Sequence, residues 1–357
     1  MAIVHYVTLK TRMGRNLLHK LKLALERLYK HNKIIAKGDI VAVKLHFGEW
    51  GNLSFVRPQF VGEVVDFIRA REGKPFLTDT NTLYGGTRSC APDHVMTALR
   101  NGFGPVETGA PVIIADGLRG ENKVKVAIDG EIAKEALIAQ SIHCADAMVV
   151  VSHFKGHELT GFGGALKNLG MGCAAREGKM HQHSTVAPRV EGKACAGCGK
   201  CVSICPADAI EVIDDIAVKS DTRCIGCADC IVVCPEGAVT INWNEAAGSV
   251  MRKIAEYAAA ATANKKNKIL YVNFIMDVSP RCDCWGFNEA PIAPNTGICL
   301  SGDPVAVDQA CIDLVIKAMG GRDPFKEAHP GPDWNITLDH AEKMGVGSRT
   351  YTLKTID

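Results

Sequence analysis

Two cysteine runs constrain this chain more than any other feature. "CAGCGKCVSICP" begins at Cys195 and "CIGCADCIVVCP" at Cys224. Both follow the spacing CxxCxxCxxxCP, and every cysteine of the first recurs 29 residues later in the second. Eight of the fifteen cysteines therefore fall within forty residues. In a reducing compartment thiols stay free, so this density points to metal or redox chemistry before disulfides. Structural zinc sites typically pair two CxxC units, unlike two threes plus ones. Pro206 and Pro235 follow the last cysteine of each run and turn the chain without a competing amide. The small residues Ala196, Gly197, Gly199, Gly226 and Ala228 let backbone amides approach the sulfurs.

The doubled run resembles the bacterial two-cluster ferredoxins across residues 191–241 and at all eight ligand positions. The resemblance implies two [4Fe–4S] clusters, each held by three cysteines of one run and the fourth of the other. Carried over by position, cluster one takes Cys195, Cys198, Cys201 and Cys234, and cluster two takes Cys224, Cys227, Cys230 and Cys205. Two adjacent clusters form a path for electrons; clusters that only staple a small insert are the alternative.

Around this insert, helical and strand patterns alternate. Leu17, Leu18, Leu21, Leu25 and Leu28 recur at helical spacing in 16–30, with Lys20, Lys22, Arg27 and Lys30 expected on a solvated face. Strand-like runs follow at 39–47, 75–79, 111–116 and 146–154, with helix-like 60–72 and 93–101 between them. After the insert come a helix over 250–263, a strand over 268–277 and a helix from Pro304 through Met319. Strands apolar on both faces, separated by helices, predict an α/β domain with a mainly parallel sheet and helices on both faces. That domain is discontinuous, 1–190 and 242–357, with a small α+β ferredoxin-like insert at 191–241.

Lys44, His46, Asp79, Asp116, His153 and Asp277 each fall at or near the C-terminal end of a predicted strand. In open α/β sheets ligands bind outside those ends. The stretch "HFKGHELTGFGGALKNLG" (153–170) follows one such strand. With His183 downstream and Cys282 and Cys284 in "RCDCWGF", His153 and His157 make a candidate additional metal site. Structural caps are the plainer reading of such histidines. Lys155, Gly161, Gly163, Gly164 and Lys167, with His46, form a candidate cofactor or anion seat, glycines freeing amides ahead of a helix start. No P-loop or dinucleotide fingerprint accompanies it. Cys282 and Cys284 project to one side of an extended segment and suit a soft metal, a redox dithiol or two inert thiols. Cys90, Cys144, Cys173 and Cys311 read as small core residues.

Nearly the whole chain resembles the family called domain of unknown function 362. The resemblance rests on "VKLHFGEWGN", "PFLTDTNTLYGGTR", "IADGLRG", "SHFKGHELTGFGGALKNLGMGCA", "CDCWG" and "SGDPVAVDQACIDLV". It implies an iron–sulfur protein, since members often carry such a ferredoxin insert. One loop is similar to the lactate racemase family, which binds a nickel pincer nucleotide: His157, Gly161, Phe162, Gly163, Gly164 and Lys167. By that resemblance the histidine ligates nickel and the lysine carries the cofactor covalently. The paired glycines are shifted by one position, so what carries over is a cofactor loop and not racemization.

A net charge of +2, with basic residues spread along the chain, demands neither nucleic acid nor an anionic membrane. No apolar run reaches the roughly 18 residues that span a bilayer, and no signal-peptide pattern opens the chain. The expectation is a cytoplasmic iron–sulfur protein with a redox partner protein. It is either an oxidoreductase or redox subunit with a metal or cofactor site in the α/β domain, or an electron-transfer or docking protein without substrate chemistry. Cluster storage or delivery is a third reading.

Overall fold

In the computed structural model, the described residues are 1–184, 188–241 and 246–357. An eight-stranded sheet forms the centre: β1 (Ala2–Thr8), β2 (Ile40–Lys44), β3 (Lys74–Asp79), β4 (Val112–Ile114), β5 (Ala147–His153), β6 (Ile269–Ile275), β7 (Gly297–Ser301) and β8 (Tyr351–Ile356). Their spatial order is β8-β1-β7-β6-β5-β2-β3-β4. All neighbours pair in parallel except across β7, which runs against both β1 and β6. The fold is α/β with a mostly parallel sheet.

Alternation along each strand builds one core on each face. Val41, Val43, Val149 and Val151 pack with leucines of α1 (Leu17–His31) and apolar residues of α2 (Pro58–Arg69). Ala42, Met148 and Val150 face the other way, toward α4 (Ala165–Gly170), α6 (Ala247–Thr262) and α7 (Pro304–Ala318). Each fully buried valine contributes about 2 kcal/mol, so strands lined this way stay central. α3 (Ala91–Arg100) and α5 (Arg176–His183) complete the helices used below.

Two expectations need correction. Lys20 is buried, because its ammonium donates to the Thr8 and Lys10 carbonyls at 2.7 and 2.9 Å and ties α1 to the end of β1. Cys144 is exposed and Cys90 half-buried, both at helix ends, whereas Cys173 and Cys311 are core residues. Glu135–Ala139 pairs with Lys123–Ala127 as a separate hairpin. The expected restart of the α/β domain at residue 242 lies outside the described residues. No helix among the described residues is long and apolar enough to cross a membrane.

The cysteine-rich segment is a duplicated unit. Helices Lys200–Ile204 and Asp229–Val233 start from left-handed Gly199 and Ala228 and end at Cys205 and Cys234, each pair 29 residues apart. Strand pairs Arg189–Val190 with Val239–Thr240, and Ile210–Ile213 with Ile216–Lys219, flank them. An apolar cluster including Cys201, Cys230, Ile210, Ala217 and Val239 fills the centre.

Candidate functional site

The parallel strands end on one edge, and there a cavity of about 920 Å³ opens. Register places Lys44 beside Val150, and His153 beside Phe274, so the ends of β2, β5 and β6 face the same opening. Its wall includes His46, His153, Lys155, His157, Gly164, Lys167, His183, Cys282 and Cys284. The structure thus gathers the candidate residues from four distant stretches. Gly161 and Gly163 stay behind the wall in a hairpin, Lys155–His157 against Gly161–Gly163, where a looser loop was expected. Gly161 adopts φ +75°, and a Cβ there would sit 2.9 Å from Trp334. Asp277 stands apart, paired with Arg57 at 2.9 Å, and Asp116 accepts the Asn81 amide at 3.0 Å as a turn anchor.

The glycine-rich stretch does not offer its helix amides to a ligand. The Asp308 carboxylate accepts from Ala165 N and Leu166 N at 2.7 and 2.9 Å, and a Cβ on Gly164 would stand 2.3 Å from that carboxylate. Glycine is required here so that a side chain of α7 can cap α4. An anion in the cavity therefore meets Lys167 and its cationic neighbours, not the α4 N-terminus.

His153 departs from the expected ligand role. Its Nδ1 meets Asp283 Oδ1 at 2.7 Å and its Nε2 meets the Met276 carbonyl at 2.8 Å. Both nitrogens face acceptors, so neither offers a lone pair to a metal. His157 accepts the Leu159 amide at Nδ1, 3.1 Å, which leaves the ring proton on Nε2, and the ring hydrogen-bonds the Cys282 sulfur. Among the described residues, no three His, Cys, Asp or Glu side chains are gathered to hold one metal ion. A cubane is a different case, because each of its four cysteines binds a different iron.

Electrostatics in the wall are dominated by buried ion pairs. Lys44 Nζ reaches Asp79 Oδ1 at 2.9 Å and Asn168 Oδ1 at 2.7 Å, the lysine and the aspartate being withdrawn from water. Arg88 bonds Glu49 at 3.0 Å and lies 3.7 Å from Asp79. Burial works against the Asp79 charge, but Lys44, His46, His94 and Arg88 hold its carboxyl well below the usual range. Six basic residues line the cavity against three acidic ones, an imbalance that favours an anionic occupant. Sequence reasoning missed Arg88, Glu49, Tyr84 and Lys179, because nothing in their local sequence marks them as inward-facing.

Cys282 and Cys284 are turned into the cavity by the residue between them. Asp283 is buried, its carboxylate against His153 and 3.6 Å from Lys155 Nζ, its carbonyl accepting from Glu49 N at 2.9 Å. A hydrogen bond from Cys284 holds the Cys282 thiol well below its usual value against burial, with Lys167, Lys155 and His157 adding to the effect. Cys284 moves the opposite way. Lys167 Nζ stands 3.8 Å from Cys282 Sγ.

Burial pushes His46 down to about 4 and His183 down to about 3, so both rings are neutral at neutral pH. The unfolded chain binds protons on these rings near 6.5 while the folded chain does so only near 4 for His46. Stability is therefore full above that upper value and falls as the pH drops through the window. His46 alone is expected to cost roughly 3 kcal/mol across it. Denaturant unfolding at pH 7 and at the acid end of the window measures the loss; equal stabilities would contradict it.

The cysteine unit docks beside this cavity. Arg176 Nη1 pairs with Asp229 at 3.1 Å, while the same guanidinium holds the carbonyls of Thr82, at 3.2 Å, and Ser89. Leu83 and Met180 join the apolar cluster around Cys201 and Cys230, and Leu83 also lines the cavity. Backbone amides of Ala209, Ala217 and Ala238 donate to the sulfurs of Cys205, Cys195 and Cys234 at 3.3, 3.3 and 3.2 Å. Cys205, Cys224, Cys227 and Cys230, drawn from both runs, line one small cavity.

Comparison with known proteins gives a family and two weak structural similarities. No curated protein matches the chain. Among solved structures, the lactate racemase apoprotein from Thermoanaerobacterium thermosaccharolyticum superposes with a TM-score of 0.38 at 12% identity, covering 78% of this chain and 51% of that one. A crystal structure of a Thermotoga maritima protein gives a TM-score of 0.38 at 11% identity, covering 91% of this chain and 59% of that one. The chain thus spans only half to three-fifths of the length of these neighbours. The model of the family described as "Domain of unknown function (DUF362)" matches residues 41–313, a span that includes both the cavity and the cysteine unit. The chain belongs to the DUF362 family.

Proposed function

We propose that the protein is an iron–sulfur oxidoreductase, or the redox subunit of one, in which residues 191–241 hold two [4Fe–4S] clusters and exchange electrons with an anionic small molecule in the cavity. Leu83 carries the reading, because one side chain belongs both to the apolar packing around Cys201 and Cys230 and to the cavity wall. The residues fit the clusters. Four cysteines from both runs surround one small cavity in the set expected for cluster two, and three amides already point at ligand sulfurs. When bound, each cluster supplies a one-electron store whose potential responds to such hydrogen bonds and to solvent exposure.

The chain's own residues have separate tasks. Arg176 fixes the cysteine unit against the loop that carries Leu83. Lys167 and Lys155 offer positive charge to the substrate, and the wall is large enough to enclose a small molecule or cofactor. Cys198 is exposed, a suitable approach for a redox partner protein in the cytoplasm.

Anaerobic purification followed by iron and sulfide determination tests the reading. The expected result is about eight irons per chain, with a second component or an anionic ligand that is retained by the native protein and lost in Lys167→Ala. Eight irons, with no ligand response in that variant, would remove the enzyme and leave an electron carrier. Absence of iron would remove both.

A further inference from the structure

The cavity wall contains two of the chain's fifteen cysteines, and they are neighbours in a CxC turn. The remaining cysteines outside the doubled runs are elsewhere: Cys173, Cys299 and Cys311 in the core, Cys90 and Cys144 at helix ends. Asp283 anchors the turn in the protein interior, so both sulfurs are presented to the same cavity. Around Cys282 stand Lys167, Lys155 and the N–H of His157, an environment that favours a thiolate and an incoming anion together.

We propose that Cys282 and Cys284 are a redox-active dithiol that reduces a disulfide bond in a small anionic substrate; this rests on the oxidoreductase reading above. The Cys282 thiolate attacks one substrate sulfur, forming a mixed disulfide as the substrate S–S bond breaks and its other half leaves as a thiolate. Cys284 then gives its proton to water and attacks the Cys282 sulfur. A Cys282–Cys284 disulfide forms, and the second substrate thiolate leaves. Two electrons, delivered singly from an external low-potential one-electron donor through the cysteine unit, and one proton restore the thiolate and thiol. The sum is one disulfide and two electrons giving two thiolates.

Lys167 serves this chemistry as a positioning residue, its ammonium drawing the anionic substrate toward the sulfur it already faces. His157 steadies the thiolate with its Nε2 proton. Asp283 keeps both sulfurs pointed inward and is itself held by His153, which explains why that buried histidine has both nitrogens engaged.

The test uses 5,5′-dithiobis(2-nitrobenzoate), an anionic disulfide that releases a coloured thiolate, on the full-length protein purified anaerobically. Beyond the thiolates released by exposed Cys144 and half-buried Cys90, native protein is expected to release two from the cavity wall and finish with a Cys282–Cys284 disulfide, identified by peptide mass mapping. Cys284→Ser is expected to release one and retain the other half on Cys282. In Cys282→Ser the remaining wall thiol is expected to react about tenfold more slowly, since the favoured thiolate is gone. An undiminished rate in Cys282→Ser, or native protein that ends with separate adducts on both cysteines, would overturn the proposal. Iron content and the visible spectrum of the same samples report separately on the clusters. Full iron without a resolved disulfide removes the dithiol alone, and a resolved disulfide without iron removes the cluster reading but leaves the dithiol.

Discussion

Serine at both Cys224 and Cys227 is expected to leave about four irons per chain in place of about eight, because cluster two loses half of its ligands. Serine at Cys195 and Cys198 is expected to give the same loss from cluster one. The duplication makes the two outcomes equivalent in size, since each run repeats the other at every cysteine. A second consequence concerns folding. The unit between residues 188 and 241 has only short helices and two-residue to four-residue strands, with a small apolar centre. A fold of that size needs covalent or metal staples to be stable. Amide exchange should therefore accelerate within the unit of either variant while β2 and β5 stay protected. Iron analysis with hydrogen exchange checks both statements; full iron in the Cys224 and Cys227 variant would rule out the ligand assignment.

Asp79→Asn is expected to destabilise the protein by about 3–5 kcal/mol, the cost of leaving buried positive charge without its counter-ion. Asp79 ends β3 and faces Lys44 at 2.9 Å, Arg88 at 3.7 Å and His94 at 3.8 Å. The substitution keeps the shape and removes the charge, so Lys44 and Arg88 are left facing one another across the cavity wall. Combining Asp79→Leu with Lys44→Met removes both charges of the closest pair and should recover part of the loss. Denaturant unfolding of the single and double variants measures the coupling. Additive losses would mean that the pair contributes nothing specific.

The parallel sheet was legible because its central strands are apolar on both faces. Val41–Val43 and Met148–Val151 have no polar alternation to confuse with a helix or an exposed strand. Strand ends shifted by a few residues, as at β2, which stops at Lys44 where a strand through Phe47 was expected. The antiparallel course of β7 and the seating of β1 between β7 and β8 were not legible. Those pairings join residues as far apart as His5 and Leu300, and no local pattern encodes a partner at that distance. Lys20 misled for a related reason: helical spacing gave its face, but the carbonyls that accept from it belong to a strand end.

At the cavity, sequence position correctly picked out Lys44, His46 and Asp79, because a strand's C-terminal end marks one edge of any open α/β sheet. It assigned His153 the wrong task. A histidine's spacing cannot reveal that both nitrogens will meet acceptors, one of them on Asp283, 130 residues later. The glycines of 161–164 promised free amides, yet Asp308 from α7 occupies those at the helix start.

By itself the sequence determined the eight cysteine positions, their 29-residue repeat and the apolar strands, since these depend on chain geometry over a few residues. Only the tertiary structure decided that Leu83 bridges the cysteine unit and the cavity, that Arg176 clamps the two together, and that Cys282 meets Lys167. Those contacts join segments separated by tens to hundreds of residues, and close packing of the whole core selects among them.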